Sequence, residues 1–416
     1  MDKNHKRLFT VFFILKMFCA FTMTVLTVYY WKMSDNTAYF TETRNMLRLI
    51  RTDISNIQYF FLPVDSYNEK IKLDSELTAT LSSLGLESNF LLIKISTLLY
   101  PIALGRYLII NLLFSVIAVD GQFKLFMALS KRYPHLKKNI AVAVLLMPSV
   151  LLYSSFMNKE TLCMAFMGFA FYNFFQILYK RARGINTVLL LLNIYFIGTL
   201  KSYILVPFLI AVLLVYLIKL IVKLFRGSLL AKIFITSLLI TSFTVLLTNL
   251  DYFDPYILDA AKTSNTFQEQ YNSIDESTTF EFGEVETSFA GLLKKIPLGI
   301  YTTYFRPQLW EVNKPIILLS ALESFIVFII TLLAIIIKRK YIGSLLRHDF
   351  FASICFYYAL IFGAVVGLTT FNFGSLIRYK IPGIPFLMMF IFLLLHHKYK
   401  KDEADLKIGN PPAEGI

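Results

Sequence analysis

The chain has 416 residues, of which 56% are hydrophobic and only 16% are charged, and its formal net charge is +14. A soluble globular protein is nearer one half apolar and one quarter charged, so this composition excludes an ordinary soluble domain. Continuous apolar runs of about 18 or more residues recur along the chain and predict an all-α, polytopic helical membrane protein.

The net positive charge lies largely in short loops beside the apolar runs. This distribution is typical of positive charges retained in the cytoplasm, so we expect the lipid bilayer as a partner and no nucleic acid. The three cysteines lie inside apolar runs and predict neither a metal site nor a disulfide framework. All five histidines lie in predicted cytoplasmic segments, so no histidine-based site is expected on the outer face.

The first half of the chain predicts six spans. The basic start MDKNHKR and the uninterrupted run after it predict an uncleaved signal anchor with the N-terminus in the cytoplasm. Residues 31–106 form a polar outer loop, in which the short apolar stretch 90–104 predicts an interfacial helix. The six predicted spans are residues 8–30, 107–129, 140–156, 161–179, 187–200 and 204–224.

The second half predicts four more spans, residues 233–250, 316–337, 350–369 and 381–395. A second outer loop, residues 251–314, begins acidic and ends in SFAGLLKKIPLGIYTTYFRPQLWE, a predicted amphipathic segment of the outer face. About ten spans with both termini in the cytoplasm place the basic loops on one side. We therefore expect residues 1–397 to form a single transmembrane domain and residues 398–416 to form a disordered cytoplasmic tail.

Charged residues at the outer turns are the candidate functional residues, because ionisable groups beside spans often mark a working surface. They are Asp35, Lys159, Glu160, Lys201, Arg306, Glu311, Arg378 and Lys380. Outer cations run against the topological bias, and arginine and lysine suit phosphate oxygens. We expect the set to converge on one surface and, Asp35 apart, to bind a substrate or its lipid phosphate, with Arg306, Arg378 and Lys380 contacting the phosphate.

Structural interpretations of the same residues remain open. Asp35 also suits a solvated helix end, and Asn158-Lys159-Glu160 also suits an ordinary polar hairpin. For Arg306, a buried pair with Glu311 competes with phosphate binding.

Three stretches carry a resemblance: PSVLLYSSFMNKE, FRPQLWE with the following LLSALES, and NFGSLIRYKIPGIPF. They resemble a family of multi-span bacterial envelope proteins linked with polysaccharide assembly. More broadly, the chain is similar to GT-C membrane glycosyltransferases, which place a carboxylate soon after the first span and cover the site with interfacial helices. Asp35 and residues 90–104 match those positions.

The GT-C resemblance implies a reaction at the outer face of the bacterial inner membrane. Asp35 would be the general base on an acceptor hydroxyl, and a polyprenyl-phosphate sugar would be the donor. A single aspartate stands where some GT-C enzymes have a paired acidic motif, so participation of a divalent cation stays open.

Two other functions fit the same topology. A Wzy-type polysaccharide polymerase or ligase would hold a polyprenyl pyrophosphate with Arg306 and Arg378. A non-enzymatic transporter or assembly partner for lipid-linked glycans would need no general base.

Overall fold

The computed structural model describes residues 3–31, 35–73, 86–179, 181–224, 265–266, 269, 279–280, 283, 289–312 and 314–397. Every named element in these residues is a helix, and one isolated antiparallel bridge joins Thr279 and Asn372. The all-α fold class is therefore confirmed for this part of the chain. The predicted single domain contains two compact units, an N-terminal unit of Met1–Leu205 and a C-terminal unit of Val206–Ile416.

The N-terminal unit begins with a long helix that ends in a π-helical turn and is followed by shorter helices. Its elements are α1 (Lys3–Val25, continued by Leu26–Trp31), α2 (Asp35–Thr52), the 3-10 turn Ile54–Asn56, α3 (Ile57–Phe61), α4 (Val64–Leu73), α5 (Glu87–Leu99), α6 (Tyr107–Arg132), the 3-10 turn Pro134–Leu136, α7 (Lys137–Ala141), the π turn Val142–Leu146, α8 (Pro148–Tyr153), α9 (Lys159–Leu178) and α10 (Arg183–Leu200).

The C-terminal unit contains fewer and longer helices. Helix α11 (Ser202–Leu224) crosses the boundary between the units. The remaining elements are α12 (Phe289–Phe305), the 3-10 turn Leu309–Glu311, α13 (Pro315–His348), α14 (Phe350–Thr369), α15 (Phe373–Tyr379) and α16 (Ile384–His396).

Seven of the described helices are long and apolar enough to cross a membrane: His5–Trp31, Tyr107–Arg132, Lys159–Leu178, Arg183–Leu200, Ser202–Lys223, Ile317–His348 and Phe350–Thr369. They correspond to seven of the ten predicted spans. The pair α15 and α16, bent by 60°, adds an eighth if it forms one broken span. The structure thus supports a polytopic membrane protein with seven or eight candidate spans, and the predicted count of about ten is not confirmed.

Two of the predicted spans account for the difference between ten predicted spans and eight candidate spans. Residues 140–156 contain short helical pieces, and α8 restarts at Pro148, whose ring cannot donate an amide proton to a continuing helix. The predicted span 233–250 lies outside the described residues.

The predicted outer loop 31–106 contains a small helical layer with its own apolar core. Met46 of α2, Val64 and Tyr67 of α4, and Phe90 and Ile93 of α5 are buried together. A helix is present at the predicted interfacial segment, but α5 begins earlier, at Glu87, and ends at Leu99. Its position at a membrane interface stays a prediction.

Helix α9 is positioned by close packing on α6. A Cβ atom added at Gly168 would lie 1.9 Å from the carbonyl oxygen of Gly121, and one added at Gly121 would lie 2.3 Å from that of Ala165. Small residues that let two backbones approach are typical of packed membrane helices. This close packing fixes the position of α9, whose first turn carries the predicted site residues Lys159 and Glu160.

Helix α12 occupies most of the predicted amphipathic segment and packs closely on α14. A Cβ atom added at Gly367 of α14 would lie 2.0 Å from the carbonyl oxygen of Gly299 of α12. The Thr303 hydroxyl donates to the Gly363 carbonyl at 2.7 Å, and Tyr304 OH donates to the Ala359 carbonyl at 2.9 Å. Helix α12 is therefore packed against α14 along its second half, which fixes the backbone leading into Arg306.

Candidate functional site

The Asn158-Lys159-Glu160 turn is the start of α9. The Asn158 side chain caps this helix, because its Oδ1 accepts from the Thr161 N–H at 2.6 Å, and its Nδ2 donates to the Tyr153 carbonyl at 2.9 Å. Glu160 lies in the first turn, where a negative charge interacts favourably with the helix dipole. The turn is thus built by a standard N-cap, and it presents Lys159 and Glu160 from a rigid helix end.

The two side chains of this first turn have different partners. Lys159 Nζ donates to Ser88 Oγ of α5 at 3.0 Å. Glu160 Oε1 lies 3.2 Å from Lys201 Nζ, with side chains only 5% and 12% exposed respectively. Because this ion pair is largely shielded from water, removing either partner would leave a poorly solvated charge.

Asp35 joins this group from α2. It is the first residue of α2, its side chain is exposed, and its charge interacts with that of Lys159. One turn later, the Tyr39 ring centroid lies 6.0 Å from Lys159 Nζ, and Tyr39 OH donates to Asn89 Oδ1 at 3.0 Å. Four of the eight predicted site residues therefore lie together with Ser88, and we name Asp35, Ser88, Lys159, Glu160 and Lys201 the Lys159 cluster.

Helix α5, which supplies Ser88, is anchored by Lys94. Its Nζ donates to the Leu62 carbonyl at 3.0 Å and lies 3.8 Å from Glu87 Oε1 and 4.0 Å from the Phe90 ring centroid. Burial lowers the pKa of Lys94 below its ordinary value, and the negative charge of Glu87 opposes this shift. Lys94 thus ties α5 to the segment before α4.

Lys16 is a charged residue that the sequence reasoning missed. It lies inside the first candidate span, is 0% exposed, and donates to the carbonyl of Ser154 at 2.5 Å and to its hydroxyl at 2.6 Å. Gln122 Nε2 donates to the same hydroxyl at 3.1 Å, whereas Gln122 Oε1 is buried with no hydrogen-bond partner among the described residues. Ser154 follows α8 and lies four residues before Asn158. Lys16 is therefore bonded to the segment that leads from α8 to Lys159.

A simple signal could have found Lys16. It stands in the run FFILKMF, and an ionisable residue within a membrane span is a candidate functional residue by default. The candidate residues predicted above all lie at turns, so Lys16 was not among them.

Arg306 and Glu311 form a pair within the C-terminal unit. Glu311 Oε1 accepts from Arg306 Nε at 2.8 Å and also from Nη2, while Glu311 Oε2 accepts from the Gln308 N–H at 2.7 Å. The guanidinium carbon lies 4.2 Å from the Phe280 ring centroid and 5.4 Å from that of Phe373. This geometry matches the structural alternative for Arg306, in which the pair stabilises the FRPQLWE segment.

Lys380 is buried, although the sequence placed it at an outer turn. It is 1% exposed, and its Nζ donates to the Arg306 carbonyl at 3.0 Å and to Ser324 Oγ at 2.7 Å. Glu323 is 5% exposed and its charge stabilises the ammonium. Ser324 and Glu323, both on α13, are thus the polar side chains next to the buried Lys380 ammonium. Arg378, in the last turn of α15, is half-buried.

Two further predictions concern a divalent cation and the convergence of the charged residues. Among the described residues, no group of three histidine, cysteine, aspartate or glutamate side chains could hold a metal ion, so the structure offers no such ligand set for the divalent cation left open above. The two charged groups lie in different units, and their convergence on one membrane surface stays a prediction.

Comparisons of the chain with protein-family models, with curated proteins and with solved structures each find no match. The GT-C and Wzy-type resemblances therefore stay predictions.

Proposed function

We propose that the chain is a membrane glycosyltransferase of GT-C type, which transfers a sugar from a polyprenyl-phosphate donor to an envelope glycan at the outer face of the bacterial inner membrane. The observation that carries this proposal is the Lys159 cluster. An exposed carboxylate and an ammonium whose charges interact start two different helices there.

Asp35 and Lys159 have the chemistry that such a transfer needs. Asp35 would accept the proton of the acceptor hydroxyl while that oxygen bonds to the anomeric carbon of the donor sugar. The bond between the anomeric carbon and the phosphate oxygen breaks, and the phosphate leaves with the electron pair. The Lys159 ammonium would stabilise the negative charge that develops on it.

Glu160 and Lys201 would act as a frame rather than as reacting groups. Their mutual ion pair is largely buried, so each already neutralises the other. The pair secures the first turn of α9 and thereby the position of Lys159.

The Wzy-type alternative has weaker support from the geometry. It would rely on Arg306 to hold a pyrophosphate, but the guanidinium already bonds Glu311 and faces two aromatic rings. A phosphate would have to compete with the Glu311 carboxylate for the same N–H groups.

The test compares lipid-linked and surface glycans in strains carrying the wild-type protein, a deletion, Asp35→Asn or Asp65→Asn. Asp65 is a matched control, because it is an exposed aspartate in the first turn of α4 within the same helical layer. We expect Asp35→Asn to reduce transfer at least about 100-fold, the usual contribution of a general base, and Asp65→Asn to leave it unchanged.

Two outcomes would contradict the proposal. An unchanged glycan profile in the deletion strain would exclude a role in carbohydrate transfer. Normal transfer by Asp35→Asn at wild-type protein levels would exclude Asp35 as the base.

A further inference from the structure

A cavity of about 350 Å³ lies in the C-terminal unit, outside all of the predicted site residues. Its walls come from the last turns of α11, the last turns of α13 and the first turns of α14. The sequence predicts that this end of the three helices faces the cytoplasm, because the basic stretch KRKYIGSLLRH closes α13.

Three cations surround this cavity. Lys219 and Lys223 are one turn apart on α11, and Arg347 is in the last turn of α13. Lys219 Nζ donates to the Arg347 carbonyl at 3.1 Å, which holds the two helix ends together. Like charges at this spacing repel each other, so the arrangement favours a bound anion.

One acidic group partly offsets these cations. The charge of Asp349 interacts with Lys219, and Asp349 also caps α14 by accepting from the Ala352 N–H at 2.9 Å. No acidic residue lines the cavity itself among the described residues. Three cations thus face one acid, and an excess of positive charge remains.

The rest of the wall is mainly apolar, apart from the hydroxyl groups of Ser353 and Tyr357 on α14. Val215, Ile218 and Val222 line it from α11, and Leu346 lines it from α13. A small inorganic anion would leave this surface without a partner, whereas an acyl chain would cover it. The combination of a cationic rim and an apolar wall fits a molecule with an anionic head and a hydrocarbon tail.

We propose that this cavity binds an anionic phospholipid. The phosphate contacts Lys223, Arg347 and the Lys219 ammonium, and an acyl chain lies along Val215, Ile218 and Val222. Basic pockets between membrane helices on the cytoplasmic side are suited to such headgroups. The site is separate from Asp35 and the Lys159 cluster, so the proposal does not depend on the proposed reaction.

The test uses the purified full-length protein in a neutral detergent with a fluorescent phosphatidylglycerol as the probe. The variant Lys223→Gln/Arg347→Gln removes two rim charges and keeps the Lys219 bond, which goes to a backbone carbonyl. The control Arg339→Gln/Lys340→Gln removes two exposed charges from α13, the helix that carries Arg347, at positions outside the cavity. We expect the first variant to bind at least about tenfold more weakly and the control to bind like the wild type.

Competition distinguishes the sources of the phosphate. Unlabelled phosphatidylglycerol should displace the probe, while phosphatidylcholine, glycerol phosphate and inorganic phosphate at equal concentration should not. Displacement by inorganic phosphate as effective as by the lipid would overturn the proposal in favour of a water-soluble anion. Equal weakening in the control would overturn it in favour of diffuse attraction to the basic helix end.

Discussion

Asp35 and Glu311 are both carboxylates beside a cation, but the protein surrounds them differently. Both oxygens of Glu311 accept hydrogen bonds from within its own segment, two from the Arg306 guanidinium and one from the Gln308 backbone. Asp35 is exposed at the first turn of α2. The bonds of Glu311 stabilise its segment, whereas the exposure of Asp35 leaves its carboxylate accessible to a substrate proton.

Lys16 and Lys380 show the same contrast for ammonium groups. Each is buried and donates to one serine hydroxyl and to one backbone carbonyl just after a helix, Ser154 in one unit and Arg306 in the other. A cation at such a helix end is favourable. Lys380 also has Glu323 nearby, whereas Lys16 forms no ion pair within the described residues. The C-terminal unit therefore places a carboxylate near its buried lysine, whereas the hydrogen bonds of Lys16 in the N-terminal unit go to neutral groups.

The largest effect on stability is expected for Lys380→Met. It leaves Glu323 buried without its cation and the Arg306 carbonyl without its donor, which should lower the free energy of unfolding by about 3–5 kcal/mol. The measurement is a denaturant titration of the purified protein in mixed micelles, with Lys340→Met as an exposed control on α13.

The double variant Glu323→Gln/Lys380→Met should recover part of the loss, because the remaining buried group is then neutral. A loss below about 1 kcal/mol for Lys380→Met would show that the buried ammonium does not hold this segment.

Glu160→Gln should have the next largest effect. Lys201 would keep its charge in a site where its side chain is only 12% exposed, so we expect a loss of about 2–3 kcal/mol in the same titration. Adding Lys201→Met should restore stability and, if the pair is only a frame, most of the transfer activity. Restored stability with no activity would instead place Glu160 or Lys201 at the reaction centre.

The sequence was sufficient for the long helices and for four of the five residues of the Lys159 cluster, but not for their proximity. Uninterrupted apolar runs specify helices regardless of their neighbours, as in Tyr107–Arg132 and Phe350–Thr369. Asp35, Lys159, Glu160 and Lys201 were identified because they interrupt or border such runs. Their proximity depends on α2 and α5 packing together, which hydropathy does not encode.

Features that depend on tertiary packing were not predictable in this way. Lys380 ends the predicted outer turn FNFGSLIRYK, but it is buried beside Ser324 and Glu323, which lie more than fifty residues earlier in the chain. The segment before Arg306 looked amphipathic, yet Gly299, together with Gly367 of α14, lets α12 pack closely. Glycines spaced along an apolar segment were the one local indication of this contact.

Lys16→Met tests whether the buried ammonium of the N-terminal unit serves the reaction. Replacing it removes the free-energy cost of a buried charge together with its bonds to Ser154, so stability should change by no more than about 1 kcal/mol. Transfer activity should still fall about tenfold, because the segment that leads to Lys159 loses its anchor. Glycan transfer per folded molecule is the measurement.

Ser154→Ala provides the control for this interpretation. If Lys16 acts through Ser154, the effects of the two substitutions on activity should be less than additive in the double variant. Fully additive effects, or wild-type activity for Lys16→Met, would exclude Lys16 as a positioning residue.

Arg306→Lys has the smallest expected effect and addresses the two interpretations of the Arg306–Glu311 pair. Lysine keeps the charge but loses the planar fork that bonds Glu311 and faces Phe280, so the free energy of unfolding should fall by about 1 kcal/mol. If the pair is structural, KM for a lipid-phosphate donor should not change in this variant. A raised KM with unchanged stability would mean that the guanidinium exchanges Glu311 for phosphate, and the C-terminal unit would then share in donor binding.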